Sequence, residues 1–470
     1  MSQNSSDSHS AGKLKTGVLT FPGVLMQGVT SIAPAIAGMF TLAFIASNAG
    51  RATPLAFAGA FVIALFLGYT LAQYTRHLSA TGSYFTFVSR SLGGRTGFLV
   101  AWVYLLFYPI VVAQVGSFMG DTLQSTLKSV YNVNFPWWIF MAFLIALCAW
   151  AGYKGLELSV KLIIIAGVIE FVIVLLVGLT GFIKPGTGGV SLGVFNPSNA
   201  PSAHGLFLGV VFAIFAISGW DAAAPLAEET ADPKRQIPRA VLGSILILGF
   251  FLIFVSWGQI SAFNSVDDVV KAKQLPAFII GQQHWGHLWW LILIALLNSA
   301  IAVALAVTSA ANRFIYGMAK AGALPKALTK VDHKSGTPIN VLWTQTGLNI
   351  FLGLVLPLII GVANVYNLTG TWFTLALAPV YIVANIGLPI FYRKEHPTEF
   401  SVLKHVIIPS IGSLALIIVV YYSVNPLPAW PIGLAPFIVL GWLAIGIIVL
   451  FTAFSGSKAK MLERAGDAMM

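Results

Sequence analysis

Long apolar segments separated by short polar ones dominate the hydropathy pattern of this chain of 470 residues. A helix that crosses a membrane needs about 20 consecutive, predominantly apolar residues. Runs of this kind lie near residues 20–47, 52–75, 96–119, 136–153, 158–183, 204–227, 240–262, 287–316, 339–362, 366–392, 406–423 and 431–454. The pattern predicts an all-α polytopic membrane protein with twelve transmembrane helices.

The composition excludes other classes of protein. Hydrophobic residues make up 57% of the chain and charged residues only 9%, whereas a soluble domain carries about 25% charged residues. The apolar runs are continuous and do not alternate with polar residues, which excludes an outer-membrane barrel. The single cysteine, Cys148, has no disulfide partner, and the first apolar run is too long for a signal peptide.

The distribution of basic residues predicts the orientation in the membrane. The chain has 26 Lys and Arg residues and 15 Asp and Glu residues. If the N-terminus is inside, the basic residues that fall outside are only Arg51, Lys128, Lys184, Lys271 and Lys273. Because cytoplasmic loops are enriched in Lys and Arg, we expect a multi-pass protein of the cytoplasmic (inner) membrane with both tails, 1–16 and 455–470, in the cytoplasm. This topology explains the basic excess, with membrane lipid rather than nucleic acid as the expected partner.

Two of the predicted helices are interrupted. The first is broken near Gly28 to Pro34, and the sixth near Ser218 to Ala222. Interrupted helices at corresponding positions are typical of inverted-repeat transporters, whose substrate site lies near the bilayer midplane. The alternative is a simple kink at each position, because membrane helices tolerate Gly and Pro.

Glu170 and Asp221 are the only acidic residues within the predicted spans. A charge at the bilayer centre costs about 2.5–3.5 kcal/mol, so such residues usually face a bundle interior or a wet cavity. Burial favours the neutral form of Glu170, which predicts a proton carrier; the alternative is a structural carboxyl with a permanent hydrogen bond. Asp221 adjoins the break, where a carboxylate and unwound carbonyls suit an ammonium group; the alternative is a cap on the inner half-helix.

The sixth span and the segment after it carry a characteristic order of motifs: Gly219-Trp220-Asp221, Glu228-Glu229-Thr230, Asp232-Pro233 and Ile237-Pro238-Arg239. This order resembles the signature of the amino acid/polyamine/organocation transporter superfamily. Gly82-Ser83-Tyr84 with Gly97-Phe98 resembles the start of the family's third helix, and Arg313-Phe314-Ile315-Tyr316-Gly317 resembles the end of its eighth. The similarity covers roughly the first ten helices.

The resemblance implies a single transmembrane domain, residues 17–454, with the leucine-transporter-like fold. In that fold a 5+5 inverted repeat, here about 17–183 and about 204–392, precedes two C-terminal helices at about 406–454. It also implies secondary active transport by alternating access, which agrees with the absence of a Gly-x-x-x-x-Gly-Lys phosphate loop from the sequence.

The resemblance places the substrate at the two breaks. The first break departs from the family's usual Gly-x-Gly run, and Pro34 is suited to begin the outer half-helix. We expect the N–H groups of Ser31, Ile32 and Ala33 to be free for a carboxylate. An amine without a carboxylate is the alternative, since similar variants occur among putrescine importers of the superfamily. The predicted substrate contacts are Gly28, Ser31, Ile32, Ala33, Tyr108, Phe215, Ser218, Gly219, Trp220 and Asp221.

The coupling residues are predicted from the same resemblance, and the gating residues from their positions in the sequence. Members that couple transport to protons carry a lysine at the position of Glu170, so we expect proton coupling through this acid. Sodium is the alternative, because Asn298 and Ser299 offer the oxygen ligands that hard cations favour. Trp372 is predicted to form an outer gate; the alternative is an aromatic residue that anchors its helix at the membrane interface. Glu229 with Arg239 is predicted to form a cytoplasmic latch, for which a solvated run of charges is the alternative. 

The predicted function is that of a permease for an amino acid. The alternatives are a polyamine or biogenic-amine carrier, an amino acid exchanger, and a transporter-like nutrient sensor. No enzymatic activity, catalytic residue, cofactor or metal site is expected, because the eight histidines include no pair at ligand spacing within a helix.

Overall fold

The structure is a computed structural model that describes residues 14–271, 275–454 and Leu462. Its regular elements over these residues are helices, and the β-pairing among them is confined to isolated bridges. The predicted tails, 1–16 and 455–470, lie outside the described residues apart from residues 14–16 and Leu462. Lys273 also lies outside the described residues.

The described part of the chain forms eighteen α-helices joined by short 3₁₀ and π segments. They are α1 (Phe21–Ser31), α2 (Thr41–Ala49), α3 (Thr53–Thr75), α4 (Tyr84–Leu92), α5 (Gly94–Tyr104), α6 (Val111–Tyr131), α7 (Trp137–Lys154), α8 (Leu156–Ile183), α9 (Ala203–Ile217), α10 (Pro233–Ala262), α11 (Val266–Lys271), α12 (Pro276–His284), α13 (Trp290–Lys320), α14 (Ile339–Ile350), α15 (Leu356–Ile360), α16 (Val362–Glu395), α17 (Ile408–Val424) and α18 (Ala435–Ala453).

Eleven segments of the described chain are long and apolar enough to cross a membrane. The first, Phe21–Thr75, is 55 residues long and corresponds to two of the predicted apolar runs. Gly50, with φ of 60°, separates α2 from α3 within it. The all-α, multi-pass class is confirmed, whereas the count of twelve crossings stays a prediction.

The acidic residues within these segments are more numerous than predicted. Asp121 lies in the middle of α6, within the candidate span Gly94–Tyr131, and Glu228 and Glu229 close the span Ala203–Glu229. The reason is that helices continue past the ends of the apolar runs. Glu170 and Asp221 are therefore not the only acids within the spans.

Helices α10 and α13 lie at the centre of the bundle. Helix α10 packs against α1, α3 and α8, and α13 packs against α1, α6 and α8. Three spans are peripheral, because the most apolar windows of Ile339–Ile360 and Leu403–Val424 are each 28% buried and that of Ile432–Ala453 is 22% buried, against 72% for Gly286–Lys320. The last two spans of the chain are among these three.

The bundle has two ends, an N-terminal face and an opposite face. The N-terminal face contains the start of α1, where Leu19 N–H donates to Glu229 O at 3.0 Å and Ala231 N–H donates to Leu19 O at 3.0 Å. The opposite face contains the turn Gly50–Ala52 between α2 and α3. The two interrupted spans both run from one face to the other, and their breaks lie between the faces.

Candidate functional site

The first interruption is a sharp turn between two half-helices. Helix α1 ends at Ser31, and helical structure resumes at Pro34. Ala33, between them, has φ of 57°, a left-handed conformation that costs a residue with a Cβ atom about 1–2 kcal/mol. The break is therefore a built feature rather than a bend in one continuous helix.

The amides at this turn are not free, which corrects the prediction for the carboxylate site. Ile32 N–H donates to Val29 O at 3.3 Å and Ala33 N–H donates to Thr30 O at 3.0 Å. Ser31 is itself the last residue of α1. The chain satisfies these donors by turning back onto the last turn of α1, a common solution at helix ends.

The second interruption touches the first. Helix α9 ends at Ile217, Ser218 is extended, and Gly219 has φ of 130° before a 3₁₀ helix, Trp220–Glu229. A Cβ atom on Gly219 would lie only 2.5 Å from the carbonyl oxygen of Ser31. Because Gly lacks a Cβ atom and tolerates this φ, it allows the two breaks to meet.

A small cavity of about 70 Å³ lies where the two breaks meet. Its lining includes seven of the predicted substrate contacts: Ser31, Ile32, Ala33, Tyr108, Phe215, Ser218 and Gly219. The rest of the lining is mainly aliphatic and aromatic and contains no charged side chain: Ile36, Ala37, Thr41, Val111, Gln114, Val115, Ala216, Val303, Val307, Tyr366 and Phe373.

Gly28 and Trp220, two other predicted contacts, do not line this cavity. Gly28 faces α10, where an added Cβ atom would lie 2.8 Å from Ser244 Oγ. Trp220 is fully buried, and its ring centroid lies 6.0 Å from that of Tyr381. Both residues therefore contact neighbouring helices and not the cavity, because their spans are packed against other helices on more than one side.

Asp221 is held by two tyrosines just outside the cavity. Its carboxylate accepts hydrogen bonds from Tyr108 Oη at 2.9 Å and from Tyr104 Oη at 3.1 Å. Asp221 is 1% exposed and does not line the cavity, whereas Tyr108 does. Gly219, the residue before the 3₁₀ helix, receives no side-chain cap. The pairing with two hydroxyl groups explains how an acid is tolerated here, because each bond partly replaces water.

Glu170 is fully buried in α8 and lies next to both the first break and α13. The Ser299 hydroxyl and the backbone amide of Ala35 are its neighbours. Neither carboxyl oxygen makes a well-formed hydrogen bond to a described residue. Glu170 therefore lies between the first break and α13.

The two other predicted coupling residues differ from each other. Asn298 Nδ2 donates a hydrogen bond to Ala166 O on the neighbouring helix α8, which is an ordinary interhelical contact. Ser299 is fully buried, and its hydroxyl makes no well-formed hydrogen bond to a described residue. Ser299 therefore lies beside Glu170 without a well-formed hydrogen bond, whereas Nδ2 of Asn298 is bonded to α8.

An ion pair closes the N-terminal face, and its partner corrects the predicted latch. Arg313 Nε donates to Glu229 Oε2 at 2.7 Å, and both side chains are only 2% exposed. Arg239, the predicted partner, is exposed on α10 and makes no ion pair with Glu229. The available signal was Arg313 itself, a cation inside an apolar run that needed a buried counter-charge.

Glu228, beside this ion pair, adds a second connection. It accepts a hydrogen bond from Thr81 Oγ1 at 2.9 Å and pairs with Lys320 Nζ at 3.2 Å. The pair with Lys320 is partly exposed, so it contributes little, about 0–1 kcal/mol. The buried pair of Glu229 with Arg313 is the stronger constraint on this face.

Two larger cavities lie toward the opposite face. The smaller of the two, of about 250 Å³, shares the lining residues Thr41, Phe215 and Tyr366 with the central cavity. The larger, of about 580 Å³, shares the lining residues Phe40 and Phe44 with the cavity of 250 Å³. Access to the central cavity is therefore more open on the opposite face than on the N-terminal face.

Aromatic side chains, but not Trp372, separate these cavities. The ring of Phe40 lies 3.9 Å from that of Phe118 and 5.3 Å from that of Tyr366, measured between centroids. Trp372 is buried and lines none of the three cavities, whereas its neighbour Phe373 lines the central one. The outer-gate position predicted for Trp372 is thus filled by other rings, because hydropathy does not fix which side of a helix faces a cavity.

The comparison with known proteins agrees with this arrangement. Residues 19–454 match the family model described as amino acid permease. The chain belongs to this family. The predicted membership of the amino acid/polyamine/organocation superfamily is confirmed, and the chain is a multi-pass membrane protein of a transporter family.

The relatives cover most of the chain at low identity. The branched-chain amino acid permease BcaP of Bacillus subtilis (strain 168) is 25% identical over 426 residues, which are 86% of each chain. The low-affinity putrescine importer PlaP of Escherichia coli (strain K12) is 24% identical over 467 residues, which are 96% of each chain. The methylthioribose transporter of Bacillus subtilis (strain 168) is 23% identical over 428 residues. These relatives differ in substrate, so the substrate has to be argued from the cavity.

Proposed function

We propose that this permease moves an amino acid with an aliphatic side chain across the cytoplasmic membrane by alternating access, driven by protons. The observation that carries the proposal is the cavity at the meeting point of the two breaks. The cavity combines an aliphatic wall with backbone and hydroxyl groups. The buried carboxylate of Asp221 lies behind Tyr108, which lines the cavity and donates a hydrogen bond to this carboxylate.

The wall of the cavity supports an aliphatic side chain. Ile36, Val111, Val115, Val303 and Val307 all line it. Small-molecule sites of this kind bind by apolar contact and use a few polar groups for orientation. A branched-chain amino acid, the substrate named for BcaP, fits this lining.

The charge distribution favours an amino acid over a diamine. A diamine carries two ammonium groups, and each buried cation needs its own counter-charge. The lining contains no acidic side chain, and Asp221 is the acid bonded to a lining residue. A single carboxylate matches the single ammonium group of an amino acid with an apolar side chain.

The substrate's ammonium group binds Asp221 by displacing the hydroxyl of Tyr108. Tyr108 stands between the cavity and Oδ1 of Asp221, and Tyr104 remains on Oδ2 to hold the carboxylate in place. The exchange trades a neutral donor for a charged one, which strengthens the hydrogen bond.

The substrate's carboxylate binds at the other side of the cavity, near Ser31 and Gly219. Both residues line the cavity, and the 3₁₀ helix that follows Gly219 presents its N-terminal end there. Free N–H groups at the start of a helix favour an anion. The Ser31 hydroxyl now donates to Gln27 O at 2.6 Å, and it turns toward the carboxylate when substrate enters.

Glu170 carries the coupling proton. A buried carboxyl without a well-formed hydrogen bond is more stable as the neutral acid. When Glu170 loses its proton, the Ala35 amide and Ser299 hydroxyl beside it become donors to the carboxylate. Protonation therefore changes contacts with the first break, which connects the proton to the substrate site.

The N-terminal face is cytoplasmic in this proposal, as the positive-inside rule predicts. The pair of Glu229 with Arg313 then closes the cytoplasmic side, while the larger cavities lead outward. Transport requires that this ion pair open after substrate and proton have bound. In this cycle uptake into the cell is the forward direction.

Uptake into proteoliposomes tests the proposal. We would measure radiolabelled leucine, isoleucine, valine, lysine and putrescine, each with an inward proton gradient, with an inward sodium gradient, and with neither. We expect the branched-chain amino acids to accumulate with the proton gradient, and a protonophore to abolish the accumulation.

Other outcomes contradict separate parts of the proposal. Accumulation of putrescine in preference to leucine would favour an amine carrier. Uptake that follows sodium and ignores pH would remove the role of Glu170. Isoamylamine, which is leucine without its carboxyl group, should compete poorly for uptake. Equal competition by isoamylamine would contradict the carboxylate site at Ser31 and Gly219.

A further inference from the structure

A basic pocket lies on the N-terminal face, away from the substrate cavity. It has a volume of about 470 Å³ and lies where the end of α3 meets the start of α10. Its lining is Arg76, Asp232, Lys234, Arg235, Pro238, Arg239 and Leu242. None of these residues lines the central cavity or the two cavities beyond it.

The pocket holds more positive charge than its own acid neutralises. Its lining has four basic side chains and one carboxylate, Asp232. Two less exposed basic residues at this face are paired, Arg90 with Glu395 and Arg313 with Glu229. No salt bridge among the described residues involves the four basic residues of the pocket. Like charges held this close repel, so a bound anion would stabilise them.

His77, next to the pocket residue Arg76, does not add to this charge at neutral pH. Partial burial, together with the neighbouring His396, lowers the pKa of His77 from its ordinary value of 6.5. His77 is therefore mainly neutral at pH 7, and the positive charge of the pocket comes from its Arg and Lys side chains.

An apolar stripe continues from the pocket along α10. Leu242 is followed on the same side of the helix by Leu246 and Phe250, because residues three or four apart share a face. Leu246 is 42% exposed and Phe250 is 63% exposed. Both lie within the candidate span Pro233–Ala262, so the stripe faces lipid chains while the basic residues sit at the helix end.

We propose that this pocket binds the headgroup of an anionic phospholipid, with one acyl chain along Leu242, Leu246 and Phe250. A phosphate group accepts hydrogen bonds from Arg235 and Arg239, which lie one turn apart, and Arg76 and Lys234 complete the positive site. Basic pockets at the cytoplasmic ends of membrane helices bind anionic headgroups in this way. Only the assignment to the cytoplasmic leaflet rests on the orientation proposed above.

Binding of fluorescent phosphatidylglycerol to the purified full-length protein in an uncharged detergent tests the site. The test variant is Arg235→Gln with Arg239→Gln. The matched control is Lys326→Gln with Lys330→Gln, which removes the same charge from exposed residues at the same face but outside the pocket. We expect the test variant to bind the lipid about thirtyfold more weakly, as two lost basic contacts imply, and the control to bind like the wild type.

Competition identifies the source of the phosphate. Unlabelled phosphatidylglycerol should displace the probe, and glycerol phosphate, which has the same headgroup phosphate without acyl chains, should not at equal concentration. Equal loss of binding in both double variants would show that lipid binding depends only on the general charge of the surface, which would contradict a specific site in the pocket. Equal competition by glycerol phosphate would contradict the proposal of a lipid ligand and would indicate a site for a free phosphate group. Size-exclusion profiles and melting temperatures check that the variants are folded, and no transport activity enters the readout.

Discussion

Tyr108 Oη donates a hydrogen bond of 2.9 Å to Oδ1 of Asp221, and this bond separates the central cavity from the buried carboxylate. Tyr108 lines the cavity, whereas Asp221 is 1% exposed and lies behind it. In the proposed cycle the substrate's ammonium group replaces this hydroxyl as the donor to Asp221.

Asp221→Asn should weaken substrate binding by about tenfold to a hundredfold, because a hydrogen bond to a charged group contributes about 1.5–3 kcal/mol. The measurement is the affinity for leucine, by calorimetry or scintillation proximity. Asp332→Asn, which removes a half-buried acid from a loop at the N-terminal face, is the control and should bind like the wild type. Near-normal affinity of Asp221→Asn would assign the carboxylate to packing with the tyrosines alone.

Tyr108→Phe should bind substrate as tightly as the wild type or up to about tenfold more tightly, because the substrate no longer has to displace a hydroxyl from a charged group. Tyr104→Phe is the matched control, since it removes the other hydrogen bond to Asp221 and lies outside the cavity lining. Weaker binding by Tyr108→Phe, with little change in Tyr104→Phe, would mean that the Tyr108 hydroxyl contacts the substrate directly.

Glu170→Gln should retain substrate binding and lose the response to a proton gradient, since glutamine mimics the permanently neutral acid. In the wild type, uptake should rise as the external pH falls, because protonation of the outward-facing carrier precedes transport in the proposed cycle. The measurement is initial uptake at several external pH values with a fixed internal pH. Asp121→Asn, in α6 beside the outer cavity, is the control for loss of an acid. A pH response that persists in Glu170→Gln would return Glu170 to a structural role.

Glu229→Gln should shift the carrier toward the state that is open on the N-terminal face, because removing one partner of a buried ion pair costs about 3–5 kcal/mol. The chain has one cysteine, Cys148, which is buried, so Ser218→Cys in the cavity wall provides a single accessible reporter. We expect a membrane-impermeant maleimide, added from the N-terminal face, to label the reporter faster in Glu229→Gln.

Lys320→Gln is the control for this labelling experiment, because its ion pair with Glu228 is partly exposed and contributes little. It should leave the labelling rate close to that of the parent protein. If both variants accelerated labelling equally, the buried pair would have no special part in closing this face.

Gly219→Ala should reduce thermal stability and abolish transport, because the new Cβ atom would lie 2.5 Å from Ser31 O at a φ of 130°. Such backbone strain costs about 1–3 kcal/mol, before the steric contact is counted. Gly93→Ala is a matched control: Gly93 has φ of 92°, but its Cβ atom would meet nothing within 4 Å. Melting temperatures of the two variants separate the cost of the contact from that of the φ angle, and equal losses would show that the contact between the breaks is unimportant.

Hydropathy determined the membrane class and the approximate positions of the spans, because both depend on the local composition of about 20 residues. The two interruptions were indicated by the residues near Gly28 to Pro34 and near Ser218 to Ala222. The order of motifs around Asp221 and Glu229 was enough to indicate the superfamily. That Glu170 faces the interior of the bundle also followed from sequence, since an acid in the middle of a span rarely faces lipid.

Only the tertiary structure decided which groups pair across the bundle. Glu229 bonds to Arg313, 84 residues away, rather than to the nearby Arg239, and Asp221 bonds to a tyrosine 113 residues earlier in the chain. The amides of Ile32 and Ala33 donate to carbonyl groups of α1 and are not free to bind a ligand. A hydropathy pattern predicts which segments enter the membrane. Which side chains form hydrogen bonds or ion pairs across the bundle depends on the rotation and tilt of each helix and on the geometry of its turns. The hydropathy pattern does not specify these.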